Sequence, residues 1–376
     1  MAHAVPVKKW PPEVAAEFLL ERTGQADASA AGELARELDY LPLALEQAAA
    51  YIESAGKTLA AYLAIFRKHQ IEVFRHGEPG TDYPDTVATT WEISFRALEK
   101  ETPAGAALLH LCAFFAPDDI PTGMITAGAE HLPEPLRAAV GDALTFDDAV
   151  SAIRRYSLLD TDSEANLSLH RLVQAVIRDR LDEPGRQQWA EAAVNAVNTA
   201  FPNDSDDVRT WKECNRLLPH AIATTDLAEP LAIGLEAAAW LLNKVGRYAF
   251  GRAEYPNARA AFERTLKIDE KAFGPDHPKV AIRVNNLGIV LWKLGDLPGA
   301  KVAYERALKI DEKAFGPHHP KVARDVNNLG GVLKELGDLP GAKAAYERAL
   351  KIFQKLLGDD HPNTRVVRGN IDSLSP

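Results

Sequence analysis

The chain has 376 residues, 46% of them hydrophobic and 26% charged, with a formal net charge of −10 at pH 7; that is ordinary globular protein with room for two or three domains, and its acidic balance argues against nucleic-acid binding, which needs clustered lysine and arginine. Two cysteines, Cys112 and Cys214, are too few for a disulfide framework or a zinc cluster and fit a reducing cytoplasm. The opening MAHAVPVKKWPPE lacks an apolar signal region and no run of about 18 uncharged apolar residues follows, so neither export nor membrane insertion is expected.

Taken in chain order, the first motif that invites a function is Gly56-Lys57-Thr58, the last three letters of a phosphate-cradling loop. Such a loop needs an earlier glycine after a strand, so that successive backbone N–H groups wrap the phosphates. Tyr51 stands at that place, and Leu43, Ala44, Ala48, Ile52 and Ala55 recur at helical spacing before Gly56. The spacing therefore predicts a helix capped at Asp39 with Pro42 in its first turn, Gly56 as its C-cap and Thr58 as the N-cap of the next helix.

Residues 85–182 read as three helices, then two short strands at Leu158-Leu159 and Leu167-Leu169 around a polar turn, then the helical RLVQAVIRDRL. Helices with a small β-hairpin suggest a winged-helix module. Between Asp85 and Asp182 there are 8 basic and 16 acidic residues, the wrong balance for a DNA-recognition face. Residues 185–242 are helical in pattern, with Trp189, Trp211, Leu217, Leu218, Ala221 and Trp240 as predicted core of a linking unit.

The C-terminal third repeats itself. Residues 285–326 and 327–368 agree at 26 of 42 positions, a further copy runs 243–284, and a fourth begins at Gly369. Each unit reads as two helices: Pro278 and Pro320 start the first, and Gly295-Asp296 and Gly337-Asp338 stop it and cap the second. Gly288 and Gly330 are expected to face Ala300 and Ala342, with Leu287, Leu291, Tyr304 and Leu308 filling around them. One hairpin cannot bury its own apolar face, so neighbours must stack into a solenoid with the first helices on the concave side. At its open end Leu356, Leu357, Val366 and Ile371 are expected to be partly exposed, unless a second copy of the chain caps them by self-association. His277-Pro278, His319-Pro320 and His361-Pro362 precede helices, which makes capping the expected role of these histidines rather than metal binding.

The repeated NNLG-x-x-L-x-x-L-G-D-x-x-x-A-x-x-x-Y-x-x-A-L-x-I followed by G-x-x-H-P resembles the 42-residue tetratricopeptide repeat of kinesin light chains and bacterial signalling proteins. Asn243, Asn285 and Asn327 fall where related arrays bond a peptide backbone; a buried contact between neighbouring hairpins would explain them equally well. Across residues 240–250, 278–294 and 320–336 there are 8 basic residues and 2 acidic ones. The resemblance therefore implies a protein or peptide partner, with an acidic peptide suited to a groove of Asn243, Lys244, Arg247, Asn285, Ile289, Trp292, Lys293, Arg324, Asn327 and Lys334, to which Arg283 adds a further cation.

Upstream, residues 10–70 with Tyr40-Leu41-Pro42-Leu43-Ala44 resemble the helical lid of NB-ARC signalling ATPases, whose G-L-P-L-A proline packs beside adenine. A plain capping role for Pro42 is an equal reading. Leu169-His170-Arg171 is similar to the M-H-D motif of the same group, whose histidine touches the β-phosphate of ADP; His170 matches and Arg171 departs. The family's phosphate loop and acidic strand lie upstream of the lid, and AVPVKKW resembles the last strand of that core. The resemblance thus implies a mainly α chain in five parts: a remnant of the nucleotide-binding core (1–9), a helical lid (10–80), a winged-helix domain (81–184), a linking helical unit (185–242) and the repeat array (243–376). It implies a non-catalytic regulatory and sensing portion with no cofactor of its own, ADP or ATP belonging to a complete parent protein. A DNA-binding winged-helix regulator with a repeat sensor is the alternative.

Overall fold

The computed structural model describes residues 9–38, 40–75 and 85–374, and they are almost wholly helical. They fall into two compact units, residues up to 200 with 222–233, and residues 201–221 with 234 onward. Among the described residues no helix is long and apolar enough to cross a membrane.

In the first unit α1 (Pro12–Thr23), α2 (Ala28–Glu37), α3 (Pro42–Ser54) and α4 (Leu59–Arg75) pack on one another, and α5 (Asp85–Glu101) lies against α3 and α4. Alanines 44, 48, 49 and 50 with Leu45 and Ile52 bury α3 on nearly all sides, as an apolar helix surrounded by neighbours must be. Its start is at Leu41, with Pro42 the first helical residue, so the cap sits two residues later than the expected Asp39, which lies outside the described residues. Its end follows the expectation. Gly56 takes φ +58, the Gly56 N–H reaches Glu53 O, the Lys57 N–H reaches Ile52 O at 2.9 Å, and Thr58 Oγ1 accepts from the Ala61 N–H. A left-handed glycine closing two crossed backbone bonds is a helix terminus, so these N–H groups point back into protein and form no phosphate cradle. The expected core remnant at 1–8 lies outside the described residues.

The rest of the first unit is built around α6 (Pro103–Cys112), whose apolar PAGAALLHLC contacts α5, α9 (Ala143–Arg155), α8 (Leu136–Val140), α10 (Arg171–Arg180) and α11 (Glu183–Ala200). α11 also packs on α7 (Thr122–Ala127), and Trp189 meets His110, so residues 185–200 belong here rather than to a linking unit. β1 (Asp160–Thr161) pairs antiparallel with β2 (Leu167–Ser168). The first strand was expected at Leu158-Leu159. Ser157 at φ +49 and the Leu158 N–H on Ile153 O instead spend those residues closing α9. A bridge from Ile120 to Leu167 adds an edge that no alternation signalled. The turn is organised by Asp162, which accepts from the Glu164 and Asn166 N–H groups.

The second unit contains three helical hairpins and a lone helix: α13 (Leu235–Gly251) with α14 (Tyr255–Phe273), α15 (Pro278–Lys293) with α16 (Leu297–Phe315), α17 (Pro320–Glu335) with α18 (Leu339–Leu357), then α19 (Pro362–Asp372). α12 (Trp211–Leu231) is divided between the two units. α13 begins eight residues before Asn243, so the 242/243 boundary read from the 42-residue period cuts a helix; the period measures spacing and leaves the phase of the hairpin open. The punctuation is as expected: Gly295 and Gly337 take φ +82 and +83, Asp296 and Asp338 accept from Gly299 and Gly341 N–H groups, and Nδ1 of His277, His319 and His361 accepts the N–H two residues on.

Each hairpin closes differently from the expected glycine–alanine contact. A Cβ on Gly246, Gly288 or Gly330 would come within 2.5, 2.9 or 2.8 Å of the ring of Phe262, Tyr304 or Tyr346, sixteen residues later in each case. The ring packs against the bare backbone, and Ala300 and Ala342 belong to the same apolar clusters. Leu356 and Val366 at the far end are exposed. We expect Gly246→Ala to destabilise the array by about 1–3 kcal/mol through overpacking, read as a shift in a urea unfolding midpoint at unchanged slope; an unshifted midpoint would mean the ring has room to move.

Candidate functional site

The residues expected to line a groove all lie on the first helices of the hairpins, but most of their polar groups are already engaged. Asn286 Nδ2 donates to Asn243 Oδ1 at 3.1 Å, Asn328 Nδ2 to Asn285 Oδ1 at 3.0 Å, and Asn370 Nδ2 to Asn327 Oδ1 at 2.9 Å. A ladder of one amide bond per joint thus runs α13 to α15 to α17 to α19. Asn243 and Asn285 are buried by it. Of the two readings open from the sequence, the contact between hairpins is the one the geometry shows, and a peptide backbone would have to compete with it.

The cations are likewise spent, which corrects the expected basic groove. Lys244 is buried, its ammonium donating to Phe201 O at 3.1 Å, and burial pushes its pKa down. Arg247 donates to Asn203 O and pairs with Asp206. Together they bind the 201–206 segment against α13, covering a face that the sequence left open. Arg283 is buried in a 2.7 Å pair with Asp269 and lies over the Trp240 ring. Arg324 bonds Asp325, and Lys334 donates to Ser373 Oγ. Lys293 is exposed and forms no ion pair among the described residues. Trp292 is not a groove wall: its ring rests on Gly331 of the next hairpin, where a Cβ would approach to 2.6 Å.

The described residues include a cleft of about 190 Å³ between α13 and α15, walled by Phe250, Phe262 and Ile289 and rimmed by Asn286 and the Arg247–Asp206 pair. Ile289 and Arg247, both expected groove residues, line this cleft. Phe250 and Phe262 escaped the sequence reading because Phe262 occupies the ring position that Tyr304 and Tyr346 hold, and so reads only as core.

In the first unit, Pro42 opens α3. His170 separates β2 from α10 and is exposed; its Nδ1 accepts the Leu172 N–H at 3.2 Å, making it the N-cap of α10. Partial burial, followed by the neighbouring Arg171 charge, holds its pKa below the usual histidine value.

Comparison with known proteins agrees with this architecture. Tetratricopeptide repeat models match residues 236–313, 283–339 and 326–363, and a domain of unknown function (DUF7779) matches 96–186. A nucleotide-binding leucine-rich repeat (NLR)-like protein of Hyaloscypha variabilis is 26% identical over 263 residues, 66% of this chain and 25% of that protein. The alignment therefore spans a quarter of that relative's length. Among solved structures, BtubC from P. vanneervenii is 20% identical with a TM-score of 0.40, over 51% of this chain and 74% of that one. A Signal Transduction ATPase with Numerous Domains (STAND) protein with a tetratricopeptide repeat sensor from Pyrococcus horikoshii is 12% identical with a TM-score of 0.32, over 98% and 63%. The C-terminal hairpins are tetratricopeptide repeats.

If the asparagine ladder holds the hairpins together, Asn285→Ala leaves the Asn328 amide without its acceptor and should cost about 1 kcal/mol of stability. A double-mutant cycle with Asn328→Ala should return a coupling of about 0.5–1.5 kcal/mol in chemical denaturation; additive losses would show that the bond contributes nothing.

Proposed function

We propose that this chain is the regulatory and sensing portion of an NB-ARC/STAND signalling NTPase, and that its repeat array holds an extended protein or peptide partner. The observation that carries the partner reading is the apolar cleft of Phe250, Phe262 and Ile289, open beside Asn286 and near the exposed Lys293 on the same helix as Ile289. Because most of the face's cations are internally paired, the partner suited to it has an apolar anchor next to a carboxylate. A uniformly acidic segment is a poorer match. The anchor supplies affinity by leaving water, and the exposed Lys293 ammonium supplies orientation and steering.

The first unit fits the sensing role. In a longer protein carrying a phosphate-binding core, bound ADP would supply negative charge and a purine face to hold the lid closed. His170 suits the phosphate end: with Nδ1 accepting from Leu172 the neutral ring carries its proton on Nε2, and a pKa below the usual value keeps it neutral near pH 7. Pro42, at the first position of α3, contributes no N–H and presents a flat apolar edge. The DNA-binding alternative has less behind it. The broad cleft among α7, α9 and the β-hairpin offers Arg154 against Asp147 and Asp162, and phosphate contacts need the reverse.

The test is selection of peptides from a displayed random library on the full chain. Enriched sequences should pair an aliphatic or aromatic residue with a nearby Asp or Glu, and Ile289→Arg should weaken them by at least about tenfold, near 1.4 kcal/mol. Lys293→Glu should chiefly slow association and reduce its salt dependence. Selected peptides that bind the Ile289→Arg protein undiminished would remove the cleft from the function.

A further inference from the structure

Adjacent hairpins meet where the second helix of one packs on the first helix of the next, and one pair of positions at that joint changes chemistry along the array. Between α14 and α15 it is Asp269 and Arg283, a buried ion pair at 2.7 Å. Between α18 and α19 it is Phe353 and Val367, both in one apolar cluster. Between α16 and α17, 42 residues after the first pair, it is Asp311 and Asp325: two carboxyls, both fully buried, facing each other closely enough to share a hydrogen bond. Both oxygens of Asp311 and Oδ2 of Asp325 receive no hydrogen bond among the described residues. Asp325 Oδ1 takes the Arg324 guanidinium at 2.8 and 3.0 Å, and the same guanidinium stands 3.7 Å from Asp311.

Two buried carboxylates at this distance cannot both be ionised against one half-exposed cation without a large repulsion, whereas one proton between them supplies both the missing donor and the missing neutrality. We propose that the joint between the second and third hairpins is a proton-dependent hinge, locked when Asp311 and Asp325 share one proton and loosened when that proton leaves. The surroundings are consistent. α16 presents the Tyr304 hydroxyl, buried without a hydrogen-bond partner among the described residues, and α17 presents Arg324 and Lys321 with His319 at its cap. On the far sides, α15 turns Val280, Ala281 and Val284 toward α16, and α18 turns Ala342, Tyr346 and Ala349 toward α17. Burial is the leading cause that raises both carboxyls above their usual range, Asp325 to about 7, with Arg324 opposing it.

The sign follows from that direction. A carboxyl whose folded pKa is raised contributes stability that is complete below its unfolded pKa and is lost as pH rises through the folded value. The joint is therefore tightest in mild acid and loosens as pH rises through neutrality.

The experiment is native-state hydrogen exchange on the full chain, corrected for intrinsic rates, with the opening equilibrium of α16 and α17 compared with that of α14 and α15. Between about pH 6 and about pH 8, opening at the α16–α17 joint should increase at least about tenfold relative to the other joint. Asp325→Asn, which keeps shape and removes the second charge, should abolish that difference, and Asp325→Arg, which recreates the preceding joint's ion pair, should do the same. Asp311→Asn serves if either variant fails to fold, and the wild-type pH series stands without any variant. Equal pH dependence at the two joints, or loosening of this one in acid, would overturn the hinge.

Discussion

An aromatic ring packed against a helix backbone that lacks a Cβ is the contact on which the repeat array rests. Helices pack ridge into groove at separations set by the side chains between them, and a six-membered ring can lie at the crossing only where the opposing helix has no Cβ. Gly246, Gly288 and Gly330 provide that absence for Phe262, Tyr304 and Tyr346. Once the crossing is set, the remaining apolar positions have a place: Ala258, Ala300 and Ala342 fit beside the ring because nothing larger would. The same distance brings the second helix of each hairpin near enough to the next for Arg306 to reach Glu270 and Arg348 to reach Glu312.

Between hairpins the array relies on two kinds of contact with different tolerance for change. The amide ladder is invariant in type: the same donor meets the same acceptor at three successive joints. The deeper pair varies from ion pair to carboxyl pair to apolar contact. An ion pair, a shared proton and two hydrocarbons can each fill one buried site, provided that no polar group is left without a counterpart. What differs is the condition under which each is stable, so joints of the same geometry respond differently to their surroundings.

The repeats, their helix caps and their turns were legible from sequence because each rests on a local rule. Gly295 and Asp296 act within four residues of themselves, and so does His277. The phase of the hairpins was not legible: a period says how far apart equivalent residues stand, and only the Leu235 start of α13 says where a hairpin begins. The site was misread for a related reason. Asn285, Arg247 and Lys244 are polar residues on an expected concave face, but their partners, Asn328, Asp206 and Phe201 O, lie 41 to 43 residues away, the last two in a segment with no pattern of its own. Ile289, an apolar residue that needs no polar partner, lines the cleft. The Asp325 substitution was visible all along in the 42-residue register, where Arg283 stands one repeat earlier.

The ladder has a direction. Each joint joins a donor of the later hairpin to an acceptor of the earlier one, so every hairpin carries an unused acceptor forward and a donor back. A 42-residue block copied in tandem would therefore meet matching amides at both of its new borders, while a block inserted in reverse order or in a different frame would not. Length is thus the property of this array that can change by duplication alone, one hairpin at a time, with the number of first helices along one face rising in step.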